Sequence, residues 1–268
     1  MLELGTAMLD LHATLLAILL AAGLFGGMLL FLDLGWRFGV RQLAKYGEPS
    51  RAGVGKADAP VYALFGLLLG FTFSGAASRF NHRSEIASQQ LTAITTAWQR
   101  VDALPPDLQA PVRSGFQSYV DALISMYHGE PSSADALREP AAVTRTRDDL
   151  WARSVAASLT DHGEKARMLL LPSLNEMFAV AESERLARRI HSPGLIFLML
   201  AISALASAVF VGYALGSSPR RNWMYMVGSA ATAAVAMYVI IELEYPRLGL
   251  LRANAIDQAL VEFRTTMR

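Results

Sequence analysis

The stretch "GLLLGFTFSGAASRF", residues 66–80, decides how this chain is read. It carries no charge until Arg79, and it places Gly66, Gly70, Ser74 and Ser78 four residues apart. A helix turns about 100° per residue, so that spacing makes one narrow stripe of glycine and hydroxyl. A second, bulkier stripe, Ala63, Leu67 and Phe71, lies about 100° further round the same helix. Lipid supplies no hydrophobic force between helices, and small residues let two backbones approach closely. One stripe is therefore suited to packing against a neighbouring helix, and the other is left to face a cavity or a pore.

Working outward, Pro60–Ser78 is one of four stretches without Asp, Glu, Lys or Arg; the others are Leu11–Leu32, Pro193–Ser218 and Asn222–Ile241. At about 1.5 Å per residue each is long enough for a hydrocarbon core of about 30 Å. The first is read as a retained helix and not a secretory signal, because its head carries Glu3 and Asp10 and its apolar run is long. Small residues recur in every span, as with Gly23 and Gly27, Ala204, Ala208 and Gly212, and Ala230 and Ala234. A hydrophobic content of 53% fits the same picture.

Between the second and third spans lies a polar insert, Arg79–His191, with thirteen basic and fourteen acidic residues. It is balanced and apolar enough to fold. Ala87, Leu91, Ile94, Trp98 and Val101 follow a 4-3-4-3 spacing, which predicts a helix continuing out of the second span until Pro105 and Pro106 end it. A second helix, Asp107–His128, buries Val112, Phe116, Tyr119, Leu123 and Tyr127. The pattern resumes at Leu150, Trp151, Val155 and Leu159, followed by a long helix, Glu164–Ile190, kinked at Pro172 and running on to the membrane. Ser192 is expected to cap the third span, with Pro193 in its first turn. No strand or hairpin signal is present.

The expected fold is an all-α membrane protein with four transmembrane helices and a large helical insert between the second and third. Its segments are 1–78, the first two spans and their loop; 79–192, the insert; 193–241, the last two spans; and 242–268, an amphipathic tail.

Little chemistry is legible. The chain has no cysteine, which excludes thiolate catalysis and Cys-based metal sites. Its five histidines make no helical i, i+4 pair, and no H-E-x-x-H or P-loop occurs. No metal, cofactor or enzymatic activity is expected. A net charge of +1 and scattered basic residues argue against a nucleic-acid partner. Glu242 and Glu244 close the fourth span at the interface, where a carboxylate can meet an arginine.

Leu69, Gly70, Phe71, Thr72, Ser78, Arg79 and Phe80 resemble the second transmembrane helix of bestrophins, with its L-G-F-Y motif and its Thr-Arg before aromatics. In the tail "IELEYPRLGLLRANAIDQAL", Glu244, Pro246 and Gly249 are similar to the acidic-Pro-x-Gly segment after the fourth bestrophin helix. The closer resemblance is to the bacterial bestrophin-like membrane family, through "FTFSGAASR", "LTAITTAWQRVDALP" and the Pro-x-x-Gly-Leu-Leu-Arg tail, from Tyr62 onward.

The resemblance implies a homo-oligomer, a pentamer of ion-channel type, in which the second helices ring the axis and three apolar residues form a neck. Carried onto this sequence, the neck is Ala63, Leu67 and Phe71, while Gly66, Gly70, Ser74 and Ser78 pack against neighbours. Arg79, His82 and Arg83 gather at the end of the second span as a candidate pore mouth, or as interfacial anchors. The implied partners are membrane lipid and small inorganic ions. Where bestrophins carry the acidic run that helps bind calcium, this chain has Leu250, Leu251 and Arg252, so calcium gating is not expected. The competing reading is a non-conducting membrane scaffold or sensor whose insert oligomerises or binds a partner.

Sequence and resemblance disagree on topology. The first helix has no Lys or Arg before it and five after it, which favours an external N-terminus. Bestrophins keep both termini and the helical region in the cytoplasm. The expectation adopted is a multi-pass inner-membrane protein with the insert and both termini cytoplasmic.

Overall fold

The computed structural model describes residues 2–46, 54–128, 140–160, 164–188, 190–216, 221–245 and 254–267. Among these the regular elements are all helical: α1 (Leu2–Tyr46), α2 (Val54–Gln99), α3 (Pro106–His128), α4 (Ala141–Ser158), α5 (Glu164–Ala187), α6 (Gly194–Leu215), α7 (Trp223–Glu244) and α8 (Asn254–Thr266). Four helices, α1, α2, α6 and α7, are long and apolar enough to cross a membrane. The chain divides into two compact units. One comprises residues 1–9, 81–191 and 252–268, and the other residues 10–80 and 192–251.

The first unit has a conventional core. Ile94, Val101, Val112, Phe116, Tyr119, Leu123, Leu150, Leu170, Leu174 and Met177 are buried together. With Trp98 and Tyr127 these include the apolar positions read from the spacing of α3 and the later ones of α2, while Leu91 is partly buried against the same core. Trp98 meets Phe116 edge to face at 5.7 Å between ring centres, and the Arg113 guanidinium carbon lies over the Trp98 ring, 4.5 Å from its centre. Such ring pairs add about 0.5–1.5 kcal/mol beyond the area they bury. The buried Tyr127 hydroxyl donates to Gln90 Oε1 at 2.7 Å, so neither polar group is left bare. Helix α2 ends in a 3-10 turn, Arg100–Ala103, ahead of Pro105 and Pro106. The amphipathic α8 docks on α3 through Leu260, and Arg264 pairs with Asp121 at 2.7 Å.

Helix α4 begins at Ala141, ahead of the apolar positions from Leu150 onward, and its early turns bury only Val143 and otherwise show charge and threonine. One expectation needs correction here. Helix α5 contains Pro172 as expected but stops at Ala187 and does not run to Ile190. It ends ahead of "HSPG", where Pro193 disfavours helical backbone at the residue before it.

In the second unit, Met28, Leu32, Phe65, Ala204, Ala208, Met226, Ala230 and Ala233 form the buried seam. Glycines bring α1 and α6 into backbone contact. A Cβ on Gly35 would lie 2.2 Å from the Val209 carbonyl oxygen, and one on Gly212 would lie 2.1 Å from that of Leu32. Gly39 and Gly216 are also confined, Gly39 by the Tyr213 carbonyl oxygen at 2.5 Å from such a Cβ and Gly216 by the backbone of Gly39 and Trp36 at 2.9 Å. Each helix thus presents a G-x-x-x-G pair to the other, and no side chain larger than hydrogen fits between them.

Replacing Gly35 or Gly212 with alanine should therefore lower the thermal unfolding midpoint in detergent, at a cost of about 1–3 kcal/mol. Gly23, around which an added Cβ meets nothing within 4 Å, should tolerate alanine without loss. Equal midpoints for all three variants would contradict the packing described.

Candidate functional site

The site is built on α2, the span with the least cover inside the chain: 11% of its apolar stretch is buried, against 33% for α7. Its inward face is set by a 4-3-4-3 series, Phe65, Leu69, Thr72, Ala76 and Arg79. Phe65 and Ala76 are buried, and Leu69 packs against the seam. The Thr72 hydroxyl returns to the Leu68 carbonyl at 2.8 Å, which satisfies it within its own helix. All seven residues of the two stripes, Ala63, Leu67 and Phe71 with Gly66, Gly70, Ser74 and Ser78, lie on the opposite face and are exposed. Phe71 is 69% exposed and Leu67 55%. Around Gly66 and Gly70 an added Cβ meets nothing within 4 Å. Among the described residues the small stripe therefore has no helix packed on it, in contrast to Gly35 and Gly39 of α1 and Gly212 of α6.

At the end of this span Arg79 turns inward. Its Nε donates to both oxygens of Glu244, at 3.2 and 3.0 Å, and its Nη2 donates to Glu244 Oε2 at 2.9 Å. The same Nη2 contacts the Ser192 hydroxyl, and the Ser192 backbone N–H donates to Glu244 Oε1. Glu244 is fully buried, so this carboxylate is held by charge-assisted bonds from α2 and from the residue that precedes α6. Gly75 makes room for the guanidinium, since a Cβ there would sit 3.3 Å from Arg79 Nη1. Two residues before Glu244, the buried Glu242 accepts from the hydroxyl of Tyr238, one turn back along the same helix.

Ser192 is accordingly not the side-chain cap of α6. The N-cap position is Pro193, with no capping side chain, and Ser192 spends both its hydroxyl and its N–H on the Arg79–Glu244 pair. Of the residues gathered at the end of the span, Arg79 is engaged with Glu244, His82 is exposed and Arg83 is partly buried. Sequence reading anticipated that Glu244 could meet an arginine but did not identify Arg79 as that arginine, nor Ser192 as the third member. The 4-3-4-3 series from Phe65 was the available signal, because it puts Arg79 on the face opposite Leu67. Among the described residues no group of three His, Asp or Glu is placed to hold a metal ion.

A family model described as the bestrophin-like domain matches residues 54–254, which include α2, the helices of the insert, α6, α7 and the Glu244 cluster. The chain belongs to the bestrophin-like family. Solved structures share its fold. A variant of a bacterial bestrophin homologue from Klebsiella pneumoniae superposes with a TM-score of 0.67 at 17% identity, covering 91% of this chain and 98% of that one. A second variant of the Klebsiella pneumoniae protein gives 0.65 at 18% identity, with 90% and 97% covered. A structure described only as a membrane protein gives 0.60 at 17% identity, with 90% and 98% covered. No curated protein matches the chain in sequence. Bestrophin-like membership supports a channel-like function, and the fold is that of a bestrophin.

Removing one partner of a buried ion pair strands the other, at a typical cost of about 3–5 kcal/mol. Arg79→Gln and Glu244→Gln should each lower the unfolding midpoint clearly, and the double variant should lose much less than their sum. Strict additivity in that cycle, measured by thermal unfolding in detergent, would show that the two groups do not act as a pair.

Proposed function

We propose that the chain assembles into a homo-oligomeric ion channel, a pentamer, with α2 of each protomer on the axis. The observation that carries this is the uncovered face of α2: an apolar stripe and a small glycine-serine stripe that stay exposed among the described residues, on a span whose other face is locked into the bundle. In such a ring Ala63, Leu67 and Phe71 make the neck, and Gly66, Gly70, Ser74 and Ser78 allow the neighbouring protomer's backbone to come close. A ring of leucine and phenylalanine makes an apolar constriction that gates by dewetting, while alanine leaves its own level wider. Lipid and small inorganic ions are the remaining partners.

The mouth is assigned to the end of α2, at Arg79, His82 and Arg83. With Arg79 held by Glu244, its charge there is partly neutralised. His82 is exposed at this level.

The neck assignment is tested by flux. Leu67→Ala with Phe71→Ala should raise ion flux in reconstituted liposomes, because both side chains are free to be trimmed without opening a cavity in the bundle. Unchanged flux from an oligomer of the same size would remove these residues from the pore.

We further propose an inner-membrane location with the insert and both termini in the cytoplasm. Cysteine is absent from the chain, so single cysteines at the exposed positions Ala44 and Ser114 report cleanly. In intact cells an impermeant thiol reagent should label position 44 and spare position 114. The reverse pattern would invert the topology.

A further inference from the structure

The glycine-packed end of α1 carries a charge cluster that the channel reading leaves unused. Asp33 follows the apolar run of α1 directly, and two arginines hold it. Arg37 Nε, one turn on, lies 2.7 Å from Asp33 Oδ2, and Arg221 Nη2, from the segment leading into α7, lies 3.1 Å from Asp33 Oδ1. Arg221 is also stacked over two indoles, with its guanidinium carbon 4.6 Å from the Trp36 ring centre and 5.7 Å from that of Trp223. Its position is therefore fixed by one carboxylate and two rings on α1 and α7.

Beyond Asp33, α1 continues the same four-residue spacing as Arg37, Arg41 and Lys45, all exposed. Among the described side chains of α1 beyond its apolar run and of the segment leading into α7, four cations thus stand against one carboxylate. Indoles and long basic side chains together mark headgroup depth. Arg37 is 54% exposed at its side chain and Arg221 32%, so both stay open to an anion while Asp33, at 18%, is largely covered. Asp33 orients the two guanidinium groups without balancing the charge of the stripe.

We propose that this cluster binds the phosphodiester of an anionic phospholipid. Arg37 and Arg221 supply the guanidinium contacts, Arg41 and Lys45 add attraction along α1, and Trp36 and Trp223 lie against the glycerol and upper acyl region. A planar guanidinium matches phosphate oxygens in bidentate geometry, which an ammonium does not. The excess of positive charge selects a headgroup with net negative charge over a zwitterionic one.

Native mass spectrometry of the purified full chain tests this with phosphatidylglycerol and phosphatidylethanolamine of the same acyl chains. Phosphatidylglycerol should be retained preferentially. Arg41→Gln with Lys45→Gln, at exposed positions outside the packed seam, should reduce that retention about tenfold, the scale of two cations at an anionic lipid surface. Arg37→Gln with Arg221→Gln should abolish the preference, whereas Arg37→Lys should weaken it and keep its sign. Soluble glycerol phosphate should not displace the lipid. Equal retention of the two lipids, or retention unchanged in both double variants, would overturn the proposal. Displacement by glycerol phosphate at matching concentration would show a free-phosphate site and overturn the lipid assignment.

Discussion

The rotation of α2 about its own axis decides what this protein offers to its surroundings, and the Arg79–Glu244 ion pair is what fixes that rotation. A buried carboxylate in an apolar bundle is costly unless it is met by charge and hydrogen bonds, so Glu244 demands a cation at close range. Arg79 answers from α2, and Ser192 completes the arrangement from the start of α6. Once Arg79 faces inward, helical geometry leaves no freedom: Phe65, Leu69, Thr72 and Ala76 follow it into the bundle, and Leu67 and Phe71 face away. A polar contact at one end of a span thus determines which apolar residues remain uncovered along the rest of it.

The bundle obtains cohesion from two different sources, as lipid requires. Between α1 and α6 it is backbone proximity, with Gly35, Gly39, Gly212 and Gly216 allowing contacts that any Cβ would prevent. At its two ends it is ionic, with Glu244 on one side chain network and Asp33 on another. The helical unit built on α3, α4 and α5 uses neither device. Its core is aliphatic and aromatic, as expected where water supplies the driving force.

Much of this was legible in the sequence because the relevant signals are local. Uncharged runs gave the four spans, and the 4-3 spacing in α2 and α3 named the residues that the core buries. The first turns of α4 are less legible, because between Val143 and Leu150 they carry charge and threonine, and further on Ser154 takes an inward position beside Leu150 and Ala157. That serine is satisfied by the Leu150 carbonyl at 2.8 Å, which sequence cannot show. The role of Ser192 was misread for a related reason. Serine before Pro-Gly satisfies the local rule for a cap, and only a carboxylate 52 residues away redirects it. Spacing alone does not rank the glycine pairs of α1: Gly23 and Gly27 share the four-residue separation of Gly35 and Gly39, yet Gly23 touches nothing and Gly27 meets only the end of Leu205.

The central claim is that the uncovered face of α2 meets other copies of itself around an axis. Because the chain has no cysteine, a single Leu67→Cys provides the most direct test, with Leu198→Cys on the exposed face of α6 as the reference. Mild oxidation in native membranes should join Leu67→Cys protomers into disulfide-linked pairs and leave Leu198→Cys monomeric on a non-reducing gel. Monomers from Leu67→Cys under conditions that oxidise exposed thiols, or equal pairing at the two positions, would contradict the account.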